Sequence, residues 1–80
     1  MHKIDKFLAR LDVKLRQKVL AIAERIKNGD FVGLDMRKLK GLSNIYRVRV
    51  GRVRIVFAMD ASGIRVLNID NRAEDTYRDI

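Results

Sequence analysis

The chain has 80 residues, of which 48% are apolar, and eighteen basic against ten acidic side chains leave it at +8. The apolar share excludes a disordered tail, the absence of cysteine excludes disulfides and thiolate metal sites, and no apolar run reaches the 18 residues that a spanning helix needs. A domain this small buries only about 60% of its unfolded surface, so a partner is expected to add stability.

The opening "MHKIDKFLARLD" lacks the long apolar stretch of a signal peptide, and the expectation is a soluble, cytoplasmic protein with no membrane partner. The charge favours a polyanion as partner, with nucleic acid first. A surplus of solubilising lysine is the plainer explanation, but the distribution argues against it. All seven lysines lie at or before Lys40, and every later basic residue is arginine. Arginine forks onto phosphate through two parallel hydrogen bonds, whereas lysine acts as a point charge.

From about 4 to 28 the spacing predicts a helical hairpin. Leu8, Leu11, Leu15, Val19, Ile22 and Ile26 recur three and four residues apart, forming one apolar stripe. Asp12 has the chemistry of an N-cap between a short helix and a longer one. Gly29 in "NGD" suits the left-handed stop. Lys14, Lys18, Arg25 and Lys27 are expected on the exposed faces, and residues 31–44 as a connector closing with "KLKG".

The period then changes to two. In "YRVRVGRVRIVF", four arginines alternate with apolar residues, and Gly51-Arg52 has the length and order of a two-residue type II′ loop. That loop sets Val50 opposite Val53, Arg49 opposite Arg54, Val48 opposite Ile55, Arg47 opposite Val56 and Tyr46 opposite Phe57. Directly opposed residues share a face. One face is therefore Tyr46, Val48, Val50, Val53, Ile55 and Phe57, and the other carries Arg47, Arg49 and Arg54. A second hairpin is expected through a three-residue loop at Ala61-Ser62-Gly63. It would set Asp60 opposite Ile64, Phe57 opposite Leu67, Ile55 opposite Ile69 and Arg54 opposite Asp70, adding Leu67 and Ile69 to the core. Asn68, Asp70 and Arg72 would join the arginine face, and "AEDTYRDI" would form a short helix. The expected architecture is α+β: a helical hairpin on one face of a small antiparallel meander at about 44–71, with a C-terminal segment at 72–80 and a single domain over 1–80.

Taken together, "KFLARLDVKLRQKVLAIAERI", "KLKG", "IYRVRVGRVRIVF" and "IDNRAEDTY" resemble the RelE/ParE family of toxins from bacterial and archaeal toxin–antitoxin pairs, most closely its RelE-like branch. The fold that the resemblance implies is like that of the small microbial ribonucleases. The activity it implies is cleavage of messenger RNA in the ribosome without metal or other cofactor, and the partners it implies are a cognate antitoxin, messenger RNA and the ribosome. ParE-type members share the fold but poison DNA gyrase, and an inactive member would bind only its antitoxin. Such an antitoxin is expected to wrap the basic face or the helical hairpin with an amphipathic, acid-bearing segment.

Residue by residue, the resemblance implies catalytic roles for Arg47, Arg49, Arg54, Arg72 and Tyr77. Arg54 and Arg72 would hold the phosphate, Arg47 and Arg49 would orient the backbone and stabilise developing charge, and Tyr77 would stack on a base or move a proton. Lys38, Lys40 and Arg52 would add RNA-backbone contacts. The chain departs from the branch in carrying arginine, not lysine, at 47 and 49, and in carrying Asn71 where many members have histidine. Arginine stays charged and is no general base, and the only histidine, His2, is terminal. Each position also has a structural reading. Arg47 and Arg49 suit a solvated strand face, Arg54 an ion pair with Asp70, Arg72 a helix cap, and Tyr77 a ring docked on the core.

Overall fold

A computed structural model describes residues 3–39, 41 and 44–71. Two helices come first, α1 (Lys3–Arg10) and α2 (Val13–Lys27), followed by four strands, β1 (Asp35–Lys38), β2 (Ile45–Val50), β3 (Val53–Asp60) and β4 (Gly63–Asn71). The strands form one antiparallel sheet in chain order. This is the expected α+β architecture with one strand more than the sequence predicts.

The apolar stripe of the helices faces the sheet as expected. Leu8, Leu11, Val19 and Ile26 pack with Val48, Val50, Val53, Ile55, Phe57 and Ile69 in one cluster, with Leu15 and Ile22 half-buried beside it. Each fully buried side chain of this size contributes roughly 1.5–3 kcal/mol relative to exposure. Asp12 occupies the N-cap position of α2 with extended backbone, and its carbonyl accepts the first helical bond from Arg16 N–H at 2.9 Å. Its carboxylate makes no capping hydrogen bond, so the capping chemistry expected of it is absent. The far end stops as the sequence predicts. Gly29 takes φ +74°, its N–H donates to the Ile26 carbonyl, and the Asp30 N–H donates to the Arg25 carbonyl at 2.9 Å, the Schellman arrangement.

Arg25, on an exposed face as expected, also ties this turn to the next segment. Its guanidinium donates to both Asp30 carboxylate oxygens, at 3.0 and 3.2 Å, and to the Val32 carbonyl. The hydrogen bond from Arg25, followed by that from the Val32 N–H, holds the Asp30 carboxyl below its ordinary pKa.

The connector expected at 31–44 is the principal correction. Residues 35–38 form β1, paired with β2 so that Met36 opposes Val48. Phe31, Leu34 and Met36 pack on the core. Phe31 stacks on Phe57 with ring centroids 5.8 Å apart, and Tyr46 stacks on Phe57 at 5.6 Å. Offset stacks of this kind stabilise beyond the area they bury.

The first hairpin matches its expectation in every pair, with Gly51 at φ +57° leading the two-residue loop. The second differs. Asp60 pairs with Gly63 across a two-residue loop, not with Ile64. The Ser62 N–H donates to Asp60 Oδ1 at 2.8 Å, an Asx turn that tightens the reversal. A bulge then restores the register. Phe57 opposes Val66 and Val56 opposes Asn68, so Leu67 is the extra residue. Leu67 is 45% exposed and not a core residue, while Ile55–Ile69 and Arg54–Asp70 pair as expected. Among the described residues no helix is long and apolar enough to cross a membrane.

Candidate nucleic-acid interface: the arginine face of the sheet

Because side chains alternate along a strand, the face turned away from the helices collects what the core leaves out. Two cross-strand rows define it. Asp35, Arg49, Arg54 and Asp70 lie side by side on β1 to β4, and next to them lie Arg37, Arg47, Val56 and Asn68. The structure thus brings Arg47, Arg49 and Arg54 together on one surface. It adds Arg37 and Asp35, which the sequence reading left in the connector.

The three arginines are not equivalent. Arg47 is only 8% exposed, and its Nη1 donates to the Asp35 carbonyl at 3.3 Å and to Asp35 Oδ1 at 3.5 Å. Burial lowers its pKa and the neighbouring Arg49 adds to this; Asp35 opposes them, and Arg37 lowers it further. Arg54 lies against Asp70 in a side-on pair, Nε to Oδ1 at 3.2 Å and Nη2 to Oδ2 at 3.5 Å. Both of these side chains are 12% exposed. Asn68 Nδ2 donates to Asp70 Oδ2 at 3.0 Å, which fixes the carboxylate from its other side. The ion pair anticipated for Arg54 therefore exists. Arg49 is exposed and has no ion-pair partner among the described residues.

This face also buries apolar groups. Val56 is 2% exposed and Ala58 is buried, yet neither belongs to the cluster under the helices. Arg47, directly opposite Val56, and Arg54, two residues before it, thus lie beside this apolar patch, where charge is less screened than over open water.

The remaining residues singled out in the sequence lie elsewhere. Lys38 opposes Tyr46 and so is exposed on the helix side of the sheet, away from the arginine face. Arg52 is exposed at the tip of the first hairpin. Lys40, Arg72, Tyr77 and His2 lie outside the described residues. Within the described residues no three His, Cys, Asp or Glu side chains gather as metal ligands. "DMRK" offers one apolar residue among three charged ones, too short an alternation to announce β1.

No protein-family model matches the sequence, and no curated protein matches it. Among solved structures, the chain is similar to one from the crystal structure of the RelB-RelE antitoxin-toxin complex of Methanococcus jannaschii, at 27% identity and a TM-score of 0.74, over 91% of this chain and 88% of that one. Two helices on a four-stranded antiparallel sheet are a RelE-like toxin fold.

Proposed function

We propose that this protein is the toxin of a type II toxin–antitoxin pair and acts as a metal-independent endoribonuclease that cleaves messenger RNA at the ribosome. The observation that carries this reading is the gathering of Arg47, Arg49 and Arg54 on the sheet face opposite the helices, in a chain with a RelE-like fold. The structural neighbour comes from an antitoxin-toxin complex, which supports an antitoxin as partner.

The chemistry is attack of a ribose 2′-hydroxyl on the adjacent phosphate. It needs the hydroxyl deprotonated, the phosphorane charge held and the 5′-oxygen protonated as it leaves. In this reading Arg49 meets the RNA backbone from its exposed position, Arg47 stabilises developing charge from below, and Arg54 and Arg72 hold the phosphate. Tyr77 stacks on a base or relays a proton; its ordinary pKa near 10 must be depressed by the arginines for it to accept one.

One observation favours a second reading, a gyrase-directed or catalytically inactive toxin. Arg54 is half-buried and already engaged with Asp70, which leaves fewer donors for phosphate. A cleavage assay on messenger RNA, free and ribosome-programmed, separates the two. Cuts by the wild type that depend on the ribosome and disappear in Arg49→Ala and Arg72→Ala support the ribonuclease. Folded wild type that makes no cuts removes that reading, and a DNA-supercoiling assay then separates a gyrase-directed toxin from an inactive one.

A further inference from the structure

We propose that Arg37 is a phosphate-binding residue, forming with Arg49 the outer pair of a three-guanidinium cradle over Arg47 that grips the backbone of a single RNA strand. The inference rests on the ribonuclease reading and adds to it a residue from β1, outside the set that the sequence assigned.

The register places Arg37 directly opposite Arg47, and Arg49 follows Arg47 on the same face of β2. Directly opposed side chains have Cβ atoms about 4.5–5.5 Å apart, and diagonal neighbours about 7–8 Å, so three guanidiniums share one small area. Their proximity is felt electrostatically: both Arg49 and Arg37 push the Arg47 pKa down. Arg47 is buried and bound to Asp35, but Arg37 and Arg49 are exposed and have no ion-pair partner among the described residues. The acidic side chains of the face are committed. Asp35 contacts Arg47, and Asp70 contacts Arg54 and Asn68. Asp35 keeps about half of its side chain in solvent but is turned to Arg47, so among the described residues Arg37 and Arg49 remain the exposed cations that a phosphate can pair with.

The arrangement also works against the isolated fold. Like charges directly opposed across two strands destabilise a sheet, and Arg37–Arg47 is such a pair, as is Arg49–Arg54. A residue that only kept β1 soluble would serve as well with either sign of charge, and an acidic residue here would remove the repulsion. A ligand that is itself anionic accounts for arginine in particular.

The test is binding of a 2′-O-methyl oligoribonucleotide, which cannot be cleaved, by the wild type, Arg37→Gln, Arg37→Lys and the control Lys18→Gln. Lys18 is exposed on α2, and its substitution removes the same charge. Loss of one phosphate contact should weaken Arg37→Gln roughly five- to tenfold at about 50 mM salt, with near parity at about 1 M. The log–log salt slope should become shallower by about 0.7. Arg37→Lys should keep the slope, Lys18→Gln should match the wild type closely, and the Tm of Arg37→Gln should stay level or rise. Equal weakening by Arg37→Gln and Lys18→Gln overturns the inference while leaving the RNA reading intact. So does a loss of binding accompanied by a lowered Tm, which would make Arg37 structural. Absence of binding by the wild type at low salt overturns the inference, and the ribosome-dependent reading is then decided by the cleavage assay alone.

Discussion

The two faces of this sheet are built from the same strands and follow different physics. Toward the helices, Val48, Val53, Ile55 and Phe57 are wholly buried among apolar neighbours. Shape and volume decide stability there. On the other face, Val56 and Ala58 are also buried, but Val56 lies directly between Arg47 and Asn68 and Ala58 between Ile45 and Arg65. Charge held out of water decides stability on that side, and it does so less favourably. Burial and like-charged neighbours lower the Arg47 pKa, so its unfolded form holds the proton more tightly, and the charged group opposes folding across the neutral range. The helix side is what the fold requires. The arginine side is what the fold tolerates, and it is the face on which the proposed function rests.

The largest way to break the contrast is Phe57→Ala. Phe57 carries both aromatic stacks at the centre of the core, and its truncation is expected to cost about 3–5 kcal/mol. Denaturant unfolding should show the midpoint lowered to match, with both faces of the sheet lost in one transition. Asp70→Ala tests the other face, removing the carboxylate that half-buried Arg54 and Asn68 both contact. A loss of about 2–3 kcal/mol is expected, somewhat below that for breaking a fully buried pair because both groups retain some exposure. Replacing Arg54 and Asp70 together with apolar residues should recover most of this, since the pair itself adds little net stability. Failure of the double variant to recover would mean that the face is held by its charges after all. The smallest effect is expected at Leu67→Ser. Leu67 reads as core in the sequence but is half exposed on the bulge, so its melting temperature should shift by an amount matching no more than about 0.5 kcal/mol.

Legibility followed the same division. Tyr46 to Phe57 was readable residue by residue, because strict alternation and Gly51 at the turn leave one register that puts Val48, Val50, Val53, Ile55 and Phe57 on the core side. The second hairpin was readable only at its far end. A loop one residue shorter than expected and a bulge at Leu67 offset each other, so Ile69 and Asp70 fall where alternation puts them while the pairs near the turn do not. Two irregularities of opposite sense leave no trace in a pattern of period two. β1 was hidden because its pairing with β2 and the packing of Met36 stabilise it, not its own propensity. The candidate site was legible to the extent that it sits on β2 and β3. Arg37 and the Asp35 contact that holds Arg47 come from β1, and went unseen with that strand.

The bulge has a consequence for self-association. β4 is the longest strand and borders the sheet, so among the described residues it presents the longest unpaired ladder of backbone groups. Straight edges of that kind template pairing with another copy and lead toward aggregation. The extra residue at Leu67 interrupts the ladder and increases its local twist, so a second chain laid along β4 would lose hydrogen bonds where the strand kinks. At the opposite border, β1 is four residues long with Asp35, Arg37 and Lys38 among them, and short charged borders repel the same event. The fold therefore guards each border by a different device, a kink on one side and brevity with charge on the other. A small basic protein can in this way accumulate without its sheets joining.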